Sequence, residues 1–255
     1  MSSVLDRFAP PPARPSPPAD GEVEVWTVPL DPPEDEVRRS FALLSPDETE
    51  RALRFHFERH RRRYAVGRGA LRTLLGRYLG VDPRAIGFDY GAKGKPFLAA
   101  GADGERPRLH FNLSNSDELA LVAFATGAEL GADLERLRPM PDGLDVAERF
   151  FSAGERQVLA AQPAGERDLA FFRCWTRKEA YLKAVGDGIT VRLDAFDVTL
   201  GPAEAPRMLS IDGDPDRGAA WELVHVEPAP GYLGALALPA RGDGRWEVRG
   251  WRWGG

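Results

Sequence analysis

The 255-residue chain is poor in the residues that most often announce a chemistry, with one cysteine, three methionines and four histidines. A single cysteine, Cys174, excludes an internal disulfide. It lies beside an aromatic cluster without a partner motif and reads as buried filler. No apolar run reaches the length of a membrane span, and the first residues show no basic-then-apolar leader pattern, so a cytoplasmic protein is expected. Positive charge is also short. Lys and Arg total 34 against 39 Asp and Glu, for a formal net charge of −5, which opposes a chain built to coat nucleic acid. A Walker loop, a dinucleotide fingerprint and a nucleophile elbow are all missing. His56 and His60 stand four apart, but Phe57 occupies the place where a metalloprotease helix needs Glu, and no third zinc ligand is evident.

What remains is ordinary globular material, 43% hydrophobic and 29% charged, with length for one domain or two compact subdomains. The proline-rich stretch 1–20 lacks periodicity and predicts a disordered tail. Order is expected from Gly21, where EVEVWTV alternates as a strand does. Ser45, Pro46 and Glu48 form a capping-box start for a helix. The pattern breaks near HFERH and runs on to Gly80. Within it, RHRRRYAVGR is a local basic block, to be read as a solvated helix face or as a phosphate-binding patch. AIGFDYGAKGKPFL predicts a short strand, a glycine-rich turn and an extended segment, and LHFNLSNS with LALVAFAT predicts a strand pair.

A second half begins near Gly127, with ATGAE as the connecting hinge. ELGADLERL reads as a strand, and DVAERFF and SAGERQVLAA as helices, the latter with its own Ser152/Glu155 capping box. A long helix over 167–185 is closed by Gly186 and Gly188. WELVHVE, YLGALAL and RWEVRGWRW read as further strands. Each half thus offers strands and one dominant helix. The expectation is an α+β fold of two similar subdomains, 21–126 and 127–255.

Two features point to chemistry. Asp133 and Glu135, two apart on a predicted strand, emerge on one face. Neighbouring like charges become reasonable with a cation between them, and oxygen-only ligands favour a hard ion such as Mg²⁺. On a strand facing solvent, such a pair would also be commonplace. The second feature is WTRKEAYLKAVGDG. At about 100° per residue, Lys178, Glu179 and Lys183 share the side of Phe171, Trp175 and Leu182, while Arg173, Arg177 and Ala180 point the other way. Glu179 and Lys183 are spaced for a simple i,i+4 ion pair, but charge on the inner side of a helix is costly to desolvate. A metal and a phosphate would resolve that cost.

In order and spacing, YGAKGKPFL, HFNLSNS, GADLERL, RFFSAGE and WTRKEAYLKAVGDG together resemble the signature blocks of the surfactin-type 4′-phosphopantetheinyl transferases. The match covers roughly 21–200. The resemblance implies two subdomains in a pseudo-two-fold arrangement, with coenzyme A in the cleft between them. It implies Mg²⁺-dependent transfer of the phosphopantetheine arm of coenzyme A to a serine of an acyl or peptidyl carrier protein. It also implies Asp133, Glu135 and Glu179 as metal ligands, Glu179 as general base and Lys183 near the phosphates. Coenzyme A contacts would come from Arg51, Lys93, Lys95, Asn112, Ser114, Asp133 and Lys183. Asn115 stands where the family usually has a phosphate-contacting histidine. Asparagine donates a hydrogen bond but carries no charge.

Two other classes compete. A Mg²⁺-dependent nuclease also gathers Asp, Glu and Lys, but it needs a broad basic channel. A carrier-binding module that had lost activity would not need all of Asp133, Glu135, Glu179 and Lys183. A monomer is expected, with coenzyme A and apo carrier domains as partners and neither nucleic acid nor membrane.

Overall fold

The computed structural model describes residues 4–5, 8–10, 12, 15–101, 104–186, 192–242 and 244–254. A two-residue strand, β1 (Val4–Leu5), precedes β2 (Glu22–Pro29). Helices α1 (Glu34–Phe41), α2 (Pro46–Leu53) and the long α3 (Glu58–Leu79) follow. A small hairpin, β3 (Phe88–Tyr90) and β4 (Pro96–Leu98), leads to the pair β5 (Leu109–Ser116) and β6 (Leu119–Thr126). Beyond the connection come β7 (Gly131–Arg136), α4 (Gly143–Phe150), α5 (Ala153–Ala161) and the second long helix, α6 (Arg167–Val185). The chain continues through β8 (Phe196–Val198), β9 (Met208–Ile211), α7 (Pro215–Ala219), β10 (Trp221–Val226), β11 (Tyr232–Pro239) and β12 (Glu247–Arg252).

The large strands form two four-stranded sheets, ordered β12-β2-β6-β5 and β1-β10-β11-β7. Side-chain alternation sorts each strand between two cores. On β6, Ala120, Val122 and Phe124 join the core under α3, while Leu121, Ala123 and Ala125 face the other sheet. On β11, Ala235 and Ala237 pack under α6, and Leu236 and Leu238 turn to the inter-sheet core. The order of layers is therefore helix, sheet, sheet, helix, an α+β arrangement of two similar halves. Among the described residues no helix is long and apolar enough to cross a membrane.

The two ends of the chain cross between the sheets. β12 pairs parallel with β2, and β1 pairs parallel with β10. The predicted disordered tail is thus ordered where the structure describes it: Phe8 is buried in the inter-sheet core and the Ala9 amide donates to the Gly250 carbonyl. The rest of that stretch, and Gly188, lie outside the described residues. Both capping boxes form, with the Ser45 and Ser152 amides donating to Glu48 and Glu155. Gly80 and Gly186 end the two long helices with positive φ. The basic block of α3 is largely taken up by ion pairs within the chain: Arg62 with Glu34, Arg63 with Asp31 and Asp117, and Arg68 with Glu48.

Candidate active site

Helix α6 lies directly on β7. A Cβ on Gly131 would sit 2.0 Å from the Ala180 carbonyl oxygen, so only glycine permits this approach. With Ala132 and Leu134 turned into the inter-sheet core, Asp133 and Glu135 face the opposite way. The D-x-E pair is therefore not on a solvent-facing strand.

β5 lies alongside β7, and side chains complete the join between the two sheets. The amides of Ala132, Leu134 and Arg136 donate to Asn112 Oδ1, Ser114 Oγ and Ser116 Oγ, at 3.0, 3.2 and 3.0 Å. Ser114 then donates to Asp133 Oδ1 and Ser116 to Glu135 Oε2, each at 3.0 Å. These alternate residues of LHFNLSNS orient the carboxylates that stand beside the amides they bind. Ser116 was not singled out from the sequence, although its two-residue spacing from Ser114 was the available signal.

Lys183 reaches from α6 to the same place. Its Nζ lies 2.5 Å from Asp133 Oδ1 and 2.9 Å from Ser114 Oγ. Burial pushes the Asp133 carboxyl up, with Lys183 opposing and Glu135 adding to the rise. The Glu179 carboxyl is raised chiefly by burial and next by the charge of Asp133. Asp133 Oδ2 is buried and, among the described residues, has no hydrogen-bond partner. Among the described residues no three potential ligands already meet as a metal cage. Asp133 Oδ1 is held by Ser114 and Lys183, and Glu135 Oε2 by Ser116 and Arg138. The orphaned Asp133 oxygen, with Glu135 on the same face of β7 and the charge of Asp133 felt at Glu179, fits a hard divalent cation held by oxygen donors.

Glu179 and Lys183 open into a cleft of about 690 Å³ that Lys93, Lys95 and Asn112 also line. Apolar walls come from Leu113, Phe150, Trp175, Leu182 and Leu193, with Arg149, Arg192 and Asp194 adding charge. Of this second group the sequence had placed Trp175 and Leu182 on the inner stripe of α6. The others come from segments remote in sequence. Lys95 is bound rather than free: its Nζ donates to Glu129 at 2.6 Å and to the Leu130 and Ala184 carbonyls. Arg51 does not line the cleft and stacks on Tyr64 at 5.6 Å. Asn115 is exposed on β5, on the face opposite Asn112 and Ser114.

The face of α6 expected to point away from the apolar stripe is not in solvent. Arg177 is 2% exposed and Ala180 is fully buried. The segment after α6 meets Arg177, whose guanidinium donates to the Thr199 carbonyl and hydroxyl, while α6 at Ala180 lies against Gly131 of β7.

Two family models match the chain. Residues 29–127 match "4'-phosphopantetheinyl transferase, N-terminal", and residues 129–237 match the "4'-phosphopantetheinyl transferase superfamily". Over 232 residues the chain is 41% identical to the 4'-phosphopantetheinyl transferase HetI of Nostoc sp., covering 91% of this chain and 92% of HetI. It is 29% identical to the 4'-phosphopantetheinyl transferase Sfp of Bacillus subtilis over 84% of this chain and 91% of Sfp. With psf-1 of Bacillus pumilus, also a 4'-phosphopantetheinyl transferase, identity is 32% over 70% and 75% of the two chains. On this likeness over nearly its whole length, the chain belongs to the 4'-phosphopantetheinyl transferases.

Proposed function

We propose that Asp133, Glu135 and Glu179 hold a Mg²⁺ ion, that Glu179 takes the proton of the acceptor serine, and that Lys183 offsets charge on the departing phosphate. The reaction is transfer of the 4′-phosphopantetheine arm of coenzyme A to a serine of an apo acyl or peptidyl carrier protein, with release of 3′,5′-ADP. Coenzyme A is the co-substrate. The observation that carries the residue assignment is the unpartnered, buried Asp133 Oδ2, beside Glu135 and the raised carboxyl of Glu179.

When bound, Mg²⁺ would neutralise pyrophosphate charge and make the β-phosphorus a better electrophile. The chain's own residues supply the rest. The serine Oγ bonds to the β-phosphorus as the bond from that phosphorus to the 3′,5′-ADP oxygen breaks. Glu179 receives the serine proton, and its half-buried setting makes it a stronger base than a solvated carboxylate. Lys183 supplies positive charge where negative charge grows on the leaving group. The apolar cleft wall suits the pantetheine arm, and Lys93 the phosphates. Asn112 and Ser114 support this reading by orienting β7 rather than by charge. A lone buried cysteine and a coenzyme A co-substrate suit a cytoplasmic setting.

Mass spectrometry of an apo carrier incubated with coenzyme A tests the assignment. The carrier gains one phosphopantetheine with Mg²⁺ present, none after chelation, and gains it again when Mg²⁺ is restored. Undiminished transfer in chelator removes the metal assignment, and undiminished transfer by Glu179→Gln removes the base.

A further inference from the structure

Lys178, next to Glu179 on α6, is 0% exposed and takes no part in the reaction derived above. Its ammonium is nonetheless fully bonded. It pairs with Glu155 Oε2 at 2.8 Å and donates to the carbonyls of Leu193 at 2.7 Å and Phe196 at 2.5 Å. Three donors meet three acceptors, so no proton is left over. Glu155 is used as completely: Oε2 also accepts the Ser152 amide at the start of α5, and Oε1 accepts the Val198 amide on β8 at 2.8 Å.

A fully buried ion pair contributes little net stability, because desolvation offsets the attraction and an apolar pair of similar size does as well. What this pair does, and an apolar pair would not, is reach backbone atoms at set points. Leu193 and Asp194 line the cleft, and so does Glu179. Lys178 therefore joins the helix bearing the proposed base to the cleft wall at Leu193, while Glu155 joins both to α5 and β8.

We propose that Lys178 and Glu155 are positioning residues for the transfer, holding the Leu193–Asp194 wall in register with Glu179. The inference rests on Glu179 acting as the base. Misplacing a positioned group by about 1 Å costs on the order of 10²-fold in rate, so the expected signature lies in kcat.

The test is Lys178→Met combined with Glu155→Gln, which removes both charges together and keeps one of the two amide-accepting oxygens at position 155. Its melting temperature should stay within a few degrees of wild type. Its kcat for carrier modification should fall at least tenfold, with KM for coenzyme A and carrier changed less than threefold. Amide exchange over 192–198 should quicken. A folded double variant with kcat and both KM values within twofold of wild type overturns the proposal, and so does a rise in KM alone. Should the double variant not fold, Lys178→Gln, a shorter neutral donor, is read by the same outcomes. Glu179→Gln run alongside separates the two inferences. If it stays active, the base assignment fails. If it is inactive while the double variant is normal, only the positioning role fails.

Discussion

Lys183 Nζ lies 2.5 Å from Asp133 Oδ1 on β7, and Lys183 makes no ion pair with Glu179, one turn earlier on its own helix. The i,i+4 pair that the spacing allows is passed over for a contact between remote elements. That choice leaves Glu179 half-buried and raised in pKa, with the charge of Lys183 only partly offsetting burial and the charge of Asp133. An acidic group so placed is suited to accept a proton.

Asp133→Asn follows from the direction of the Asp133 shift. A carboxyl raised in the folded state binds more protons there than when unfolded. Its ionisation therefore lowers stability as pH rises from the ordinary carboxylate value through the raised one, and the cost persists above. In metal-free protein at pH 7, Asp133→Asn should melt no lower than wild type. The gap should close as pH falls toward the ordinary carboxylate range. Calorimetry at several pH values in chelator checks this, and a variant much less stable than wild type at pH 7 contradicts it. Transfer by the same variant should be abolished.

Lys183→Met should lower kcat by about 10²-fold, the scale for removing one group that stabilises transition-state charge. Rapid-quench assays at saturating coenzyme A measure it. A change confined to KM would place Lys183 in ground-state binding instead.

Lys93 and Lys95 line one cleft but should behave differently. Lys95 ties the 91–95 turn to Glu129 and to the end of α6, and His110 with Lys95 holds the Glu129 carboxyl down to about 2. Lys95→Met should cost about 1–3 kcal/mol of stability through lost charge-assisted bonds. Lys93, exposed at the cleft, should affect coenzyme A affinity alone, more strongly at low salt. Denaturant melts and binding calorimetry at two ionic strengths tell them apart; equal stability losses would contradict the distinction.

Asn115→His tests whether this exposed strand position faces a phosphate. A histidine there gains a proton below about pH 6.5 and binds an anion more tightly as a cation. Coenzyme A affinity should then strengthen as pH falls from about 8 to 6. Unchanged affinity across that range would assign Asn115 to a neutral contact.

Much of the site was legible because local rules governed it. Capping boxes at Ser45 and Ser152, the alternation of LALVAFAT, the helix over 167–185 and the shared face of Asp133 and Glu135 all follow from neighbours within a few residues. The ordered blocks that carry the family were equally plain. Contacts between distant segments were not. Proline content spoke for a free tail, but pairing of β1 with β10 and burial of Phe8 overrode it, since inter-sheet packing outweighs local composition. Periodicity placed Arg177 on an outward face, yet the chain after α6 returns over it, and periodicity carries no information about what covers a helix. Sequence spacing offered Lys183 to Glu179 and counted Lys178 with them on the side that a metal and a phosphate would meet. Lys178 is bonded to Glu155 and two carbonyls instead. The close approach at Gly131 and the return of the 193–198 segment brought Asp133 to one lysine and Glu155 to the other. Sequence alone thus determined which residue types stand on which face. Tertiary packing decided their partners, because a buried charge bonds to whatever opposite charge or carbonyl the fold brings within about 3 Å.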